Sequence, residues 1–98
     1  MTRGFPERLL ALIRQREGRY TTHAKNEAVR RCLDWPDVES VAASVSWWQS
    51  NRDEVVSGGY KYEMIGRDTY GRKRYSAGKE IEYYGERIWL VITIHEAD

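Results

Sequence analysis

The side chains in this sequence that are best suited to chemistry are histidine, arginine, lysine and tyrosine. Cleavage of RNA by its own 2′-hydroxyl needs a base, an acid and cations that stabilise charge on the phosphate, and these residue types supply all three. His23 is the first candidate base, because an unperturbed imidazole titrates near neutral pH. We predict a catalytic set of two histidines, two arginines and one tyrosine: His23, Arg30, Arg74, Tyr75 and His95.

Two of these residues share one face of a predicted helix. His23, Glu27 and Arg30 fall at helical spacing, so an imidazole and a guanidinium would be presented together. An arginine fork suits phosphate oxygens. The alternative is that Glu27 simply pairs with both residues on an exposed surface. His95, at the end of a predicted central strand, is either a second acid or base or an exposed strand terminus.

Basic residues concentrate between positions 67 and 79, where five cations and one carboxylate give a local charge of +4. Tyr70, Tyr75 and Tyr83 are interleaved with these cations or follow them. Cations mixed with aromatic rings commonly bind single-stranded RNA. The alternative is an ordinary solvated hairpin. We predict the following substrate-binding residues: Lys61, Arg67, Arg72, Lys73, Lys79 and Tyr83.

Several specific signatures are absent from the sequence: a P-loop, a dinucleotide-binding glycine motif, a paired-cysteine zinc site and a nucleophile elbow. His23 and His95 lack the spacing of a metal site, so we expect no metal and no other cofactor. Cys32 is predicted to be a small core residue on the inner face of a helix rather than a nucleophile.

Composition bounds the class of protein. With 98 residues, the chain has room for a single domain, residues 1–98. The net charge is only +1, which does not indicate a basic nucleic-acid-binding arm. One cysteine allows no internal disulfide, which suits a reducing compartment. The N-terminal segment lacks a signal-peptide pattern, and the longest apolar run is too short to cross a bilayer. We therefore expect a cytoplasmic protein with no membrane partner.

The elements that position these side chains follow from hydrophobic periodicity. Helical spacing predicts helices at residues 6–16, from 21 or 22 to about 33, and from 36 to a point between 48 and 52. Val55-Val56 fits either a last helical turn or a short strand. From residue 60 the period changes to two, which predicts strands at 60–65, 74–84 and 87–96, turns at 68–71 and 85–86, and an irregularity at Gly78. The sequence therefore predicts an α+β fold in which about three N-terminal helices pack on a C-terminal antiparallel meander of three or slightly more strands.

Short motifs in both halves carry a resemblance to a known family. They are Tyr20-Thr21-Thr22-His23-Ala24, Arg30-Arg31, Trp35-Pro36-Asp37-Val38-Glu39, Gly66-Arg67-Asp68, Gly71-Arg72 and Leu90-Val91-Ile92-Thr93. From about residue 20 to residue 96 the chain resembles a family of small bacterial domains of unknown function, similar to the BrnT, MqsR and RelE toxins of type II toxin–antitoxin systems. The resemblance implies a ribonuclease fold with helices on a sheet. It also implies that His23 and the basic positions of the sheet face RNA, and that His95 lies near a C-terminal catalytic position.

Two hypotheses about function follow. The first is a metal-independent endoribonuclease, an mRNA interferase-like toxin that cuts single-stranded RNA by 2′-hydroxyl attack and is held by an antitoxin. The second is a non-catalytic protein- or nucleic-acid-binding module, such as a phage or mobile-element inhibitor. The near-neutral net charge and the many tryptophan and tyrosine residues favour the second, because protein interfaces are rich in aromatic residues.

Overall fold

The computed structural model describes residues 4–52 and 59–97, which form three helices and five strands. In chain order the elements are α1 (Glu7–Arg14), β1 (Arg19–Tyr20), α2 (Thr22–Arg30), α3 (Trp35–Ala43), β2 (Trp47–Arg52), β3 (Tyr60–Arg67), β4 (Lys73–Tyr83) and β5 (Glu86–Glu96). The predicted α+β class is confirmed. Val55-Val56 lies outside the described residues. Within those residues, no helix is long and apolar enough to cross a membrane.

The five strands form one mixed sheet in the order β1-β5-β4-β3-β2. The strands β2 to β5 pair with one another in antiparallel fashion, as expected for a meander. Strand β1 pairs in parallel with β5, Arg19 opposite Leu90, and it lies between α1 and α2 in the chain. The prediction of a purely antiparallel C-terminal meander is therefore wrong in two respects: the helices and strands are interspersed, and one edge is parallel.

The third helix ends earlier than its periodicity predicts. It stops at Ala43, and residues 47–52 form the edge strand β2 instead of further helical turns. The Ser44 side chain ends the helix by donating to the Ser40 carbonyl, while it accepts the backbone N–H of Arg67 on β3. Aromatic residues such as Trp48 favour strands, and here the pairing with β3 overrides the helical spacing.

All three helices contribute to one core against one face of the sheet. Every second strand residue points into this core, and the largest of the buried side chains is Trp89, with no exposed surface. The other buried strand residues that pack against the helices are Met64, Val91 and Ile94. A bulge keeps Val91 and Ile94 on the same side, because Ile92 is an extra residue opposite Ala77 and Gly78. The predicted irregularity at Gly78 is confirmed.

The end of α2 corrects the prediction for Cys32. Helix α2 ends at Arg30, and Cys32 follows in the left-handed region with φ of 57°. The Leu33 N–H donates to the Ala28 carbonyl and the Cys32 N–H to the Val29 carbonyl, which is the Schellman pattern. Cys32 is therefore exposed in a turn and is not part of the core.

Candidate nucleic-acid interface

The strands divide the predicted site residues between two faces of the sheet. Side chains that alternate with the core residues project from the face opposite the helices, which we call the open face. No helix in residues 4–52 or 59–97 packs against it. Seven of the eleven predicted site residues lie on the open face by this alternation: Lys61, Arg67, Lys73, Tyr75, Lys79, Tyr83 and His95.

Tyr75 and His95 form a pair on the open face, near the end of the sheet where β4 begins and β5 ends. They are directly opposite on β4 and β5, and their rings stack with centroids 4.9 Å apart and planes 20° apart. The Tyr75 hydroxyl donates a hydrogen bond to the Glu63 carboxylate on β3. Gln49 and Asn51 on β2 also donate to Glu63, at 2.7 and 3.1 Å. Side chains from four adjacent strands thus fix one polar cluster in place.

This network changes the acidity of two groups. The hydrogen bond from Tyr75, followed by that from Gln49, lowers the pKa of Glu63, and the nearby charge of Lys61 acts in the same direction. Burial and the Glu63 carboxylate raise the pKa of Tyr75 above its ordinary value. At neutral pH Glu63 is therefore a carboxylate that holds a neutral Tyr75, and the tyrosine acts as a fixed platform beneath the imidazole rather than as an acid.

The imidazole of His95 is oriented by the backbone. Its Nδ1 lies 2.8 Å from the carbonyl oxygen of Glu96. A carbonyl can only accept, so this hydrogen bond assigns the proton of the neutral ring to Nδ1 and leaves a lone pair on Nε2. The arrangement suits a general base, because stacking and a backbone contact both fix the ring.

Cations lie on the same face of the sheet as this pair. Arg67 and Lys73 are opposite each other on β3 and β4, and Lys73 is the diagonal neighbour of His95. Diagonal neighbours on one face of a sheet are about 7–8 Å apart, within reach of a lysine side chain. Among the described strand residues of this face, five cations accompany two carboxylates, Glu63 and Glu86. The five cations are Arg19, Lys61, Arg67, Lys73 and Lys79.

Three of the basic and aromatic residues of the open face are either buried or in contact with another side chain of the sheet. Lys79 is opposite Lys61 in register, but it is buried, with 3% of its surface exposed. The guanidinium of Arg19 lies 4.6 Å from the centre of the Tyr83 ring. Such a contact fixes Tyr83 at the end of β4 through a cation–π interaction.

His23 and Arg30 lie apart from the open face. They are exposed on α2, whose inner residues Ala24 and Ala28 pack into the core on the other side of the sheet. Glu27 contacts both, with its oxygens 3.2 Å from His23 Nε2 and 3.1 Å from Arg30 Nη2. The structure thus places His23 and Arg30 on one exposed surface, where both contact Glu27, as the alternative interpretation has it.

Arg74 is separated from its neighbours Lys73 and Tyr75 because it points to the helix side. Its Nε donates to Asp68 Oδ2 at 2.9 Å, and the two side chains are 4% and 0% exposed. Burial of Arg74 removes it from any surface that contacts RNA. Its function in the fold is to neutralise the buried carboxylate. Arg72, by contrast, is exposed in the β3–β4 turn.

Comparison with known proteins finds no match. No family model fits the chain, and no similar curated protein or solved structure was found. The resemblance to toxin domains therefore stays a prediction.

Sequence reasoning missed Glu63, together with Gln49 and Asn51. Glu63 is two residues from Lys61 in a strand that was correctly predicted, so the two share a face and the place of Glu63 on the open face was open to prediction. Gln49 and Asn51 were hidden because their segment was predicted as helix. Among the described residues, no group of three or more histidine, cysteine or acidic side chains is placed to hold a metal ion.

Proposed function

We propose that this domain is a metal-independent endoribonuclease that cleaves single-stranded RNA on the open face. The observation that carries the proposal is the oriented imidazole of His95, stacked on Tyr75, with Lys73 as its diagonal neighbour and Arg67 opposite Lys73 on the next strand. A base with an available Nε2, on a face that also carries two cations, matches the needs of 2′-hydroxyl attack on a phosphate. The surrounding cations and rings match the way single strands are bound.

The reaction assigns one role to each group. His95 Nε2 accepts the proton of the ribose 2′-hydroxyl, and the oxygen attacks the adjacent phosphorus. Arg67 and Lys73 stabilise the charge on the non-bridging oxygens. The bond to the 5′-oxygen breaks, and that oxygen takes a proton from the Lys73 ammonium. The products are a 2′,3′-cyclic phosphate and a 5′-hydroxyl, and proton exchange with solvent restores both side chains.

Two histidines offer a matched test of this assignment. The purified protein is incubated in EDTA with end-labelled single-stranded RNA, and the product ends are identified. Wild type is expected to give cyclic phosphates, His95→Ala to be slower by about 10²- to 10⁴-fold, and His23→Ala to keep its rate. The proposal fails if folded wild type leaves the RNA intact, or if His95→Ala cuts as fast as His23→Ala.

The toxin interpretation adds a protein partner. The predicted family resemblance implies an antitoxin, and the exposed cations Arg67 and Lys73 suit an acidic segment that covers the site. Induced expression of wild type is expected to arrest growth, and His95→Ala to relieve the arrest. Arrest that is equally strong with His95→Ala would argue against this role.

The second candidate is a binding module without catalysis. The raised pKa of Tyr75 favours it, because this hydroxyl is a poor acid and the cluster contains a single imidazole. Such a protein would bind single-stranded RNA with an affinity that falls steeply with salt, and would leave the RNA uncut.

A further inference from the structure

The turn between β3 and β4, residues 68–72, is ordered by one carboxylate. Asp68 Oδ1 accepts the backbone N–H groups of Tyr70 and Arg72, each at 2.9 Å. The Asp68 N–H donates to the Arg72 carbonyl, and the Gly71 N–H donates to the Asp68 carbonyl. Gly71 adopts a φ of 82°, which glycine permits without steric cost. The turn therefore has one well-defined backbone conformation.

Helix α3 fixes the same turn from the other side. Asp37, which is 4% exposed, accepts the Thr69 N–H at 2.9 Å and the Thr69 hydroxyl at 2.6 Å through Oδ1. Its second oxygen accepts the backbone N–H of Asp34 at the helix start. The backbone of the turn is thus fixed to helix α3. Tyr70, in the same turn, is nevertheless 80% exposed.

Tyr70 lies in the turn that joins the ends of β3 and β4, beyond the last open-face positions of these strands. The turn follows directly on Arg67 and Lys73, which lie between it and the stacked pair of Tyr75 and His95. Two residues along a strand span about 7 Å, so Tyr70 lies well beyond the proposed scissile phosphate. A strand of RNA that runs from His95 across the two cations reaches this ring next.

We propose that Tyr70 is a stacking platform for a base that flanks the cleaved phosphate, an inference that rests on the proposed function. An aromatic ring carried by an ordered turn stacks on a base without the cost of ordering the loop. The cations Arg67, Arg72 and Lys73 around the turn hold the phosphates on either side of that base.

Tyr84 provides a matched control. It is an equally exposed tyrosine at a turn, 89% exposed, but it lies at the opposite end of β4. Its near neighbours include the carboxylates Glu82 and Glu86. If removal of any surface tyrosine weakened RNA binding, Tyr70→Ala and Tyr84→Ala would lose the same affinity. Base stacking at Tyr70 predicts a loss in Tyr70→Ala alone.

The experiment measures binding without cleavage. Fluorescence anisotropy follows a labelled RNA with 2′-O-methyl riboses, which lacks the nucleophile, and a set of the same RNAs carries one abasic nucleotide at successive positions. Tyr70→Ala is expected to weaken binding of the intact RNA by roughly 5- to 150-fold, Tyr70→Trp to restore it, and Tyr84→Ala to leave it unchanged. One abasic position is expected to weaken binding to wild type and to have no further effect on Tyr70→Ala.

The outcomes separate this inference from the function on which it rests. If wild type does not bind the RNA at all, both proposals fail. If wild type binds and Lys73→Ala loses affinity while Tyr70→Ala stays within twofold of wild type, the stacking proposal alone is overturned. Equal losses in Tyr70→Ala and Tyr84→Ala would overturn it as well.

Discussion

Replacement of Arg74 by methionine is expected to destabilise the fold rather than to remove a catalytic group. Methionine keeps much of the packing volume but leaves the fully buried carboxylate of Asp68 without its cation. Breaking a buried ion pair in this way costs about 3–5 kcal/mol, against a total stability of about 5–15 kcal/mol for a small domain. At about 4–8 °C per kcal/mol, the melting temperature is expected to fall by roughly 12–40 °C.

Urea unfolding followed by tryptophan fluorescence measures this loss directly. A double variant, Asp68→Asn with Arg74→Met, lacks the ion pair but also lacks the unpaired buried carboxylate. Comparison with Arg74→Met therefore gives the cost of leaving that carboxylate without a cation. Asparagine is neutral, and its carbonyl still accepts the backbone N–H groups of Tyr70 and Arg72. The double variant is therefore expected to be at least about 1 kcal/mol more stable than Arg74→Met alone. The reasoning is refuted if Arg74→Met lies within about 1 kcal/mol of wild type.

The same pair makes the stability depend on pH. Burial raises the pKa of Asp68, but the hydrogen bond from Arg74 and those from two backbone N–H groups outweigh it and hold the pKa below its ordinary value. Such a group stabilises the fold above its unfolded pKa of about 3.9, and the contribution is lost as pH falls through the folded pKa. Without Arg74 the burial of Asp68 is opposed only by the backbone hydrogen bonds, so the deficit of Arg74→Met relative to wild type is expected to be largest at neutral pH and to shrink as falling pH protonates Asp68 in the variant. A deficit that is constant from pH 7 to pH 3 would contradict this assignment.

Two further substitutions test the packing and the backbone. A Cβ added at Gly78 would lie 2.6 Å from the buried indole of Trp89, so Gly78→Ala is expected to cost about 3 kcal/mol, near the upper end of typical overpacking. Gly4→Ala, where no atom lies within 4 Å, is the control and should stay within about 0.5 kcal/mol in the same urea titration. Cys32→Gly should stabilise the protein by about 0.5–1 kcal/mol, because glycine relieves the positive φ of an exposed residue. A lower melting temperature for Cys32→Gly would contradict the strained turn.

Most of the fold was predictable where the pattern is local. The change of period at residue 60 correctly marked the start of β3, and the stop and start signals around Asp34 and Pro36 correctly separated α2 from α3. Strand β1 has only two residues and is defined by its pairing with β5, so no local sequence pattern predicts it. Strand β2 was missed because Val45 and Trp48 fit a helical stripe as well as they fit an extended chain.

The site was predictable only in part, because residues that are adjacent in the basic segment of the sequence point to opposite faces of strand β4. Alternation along β4 predicts that Lys73 and Tyr75 share a face and that Arg74 takes the other. What the alternation does not provide is the counterion: the burial of Arg74 depends on Asp68, which the β3–β4 turn brings back toward it. The distance between His23 and His95 likewise depends on which side of the sheet α2 packs, and periodicity does not determine that side.

If the proposed function is correct, the open face, and not the exposed surface of α2, contacts RNA. Titration of ¹⁵N-labelled protein with the 2′-O-methyl RNA, followed by amide chemical shifts, distinguishes the two surfaces. We expect shifts at Glu63, Tyr75 and His95, with little change at His23 and Arg30. Shifts confined to His23 and Arg30, or none at saturating RNA, would contradict it.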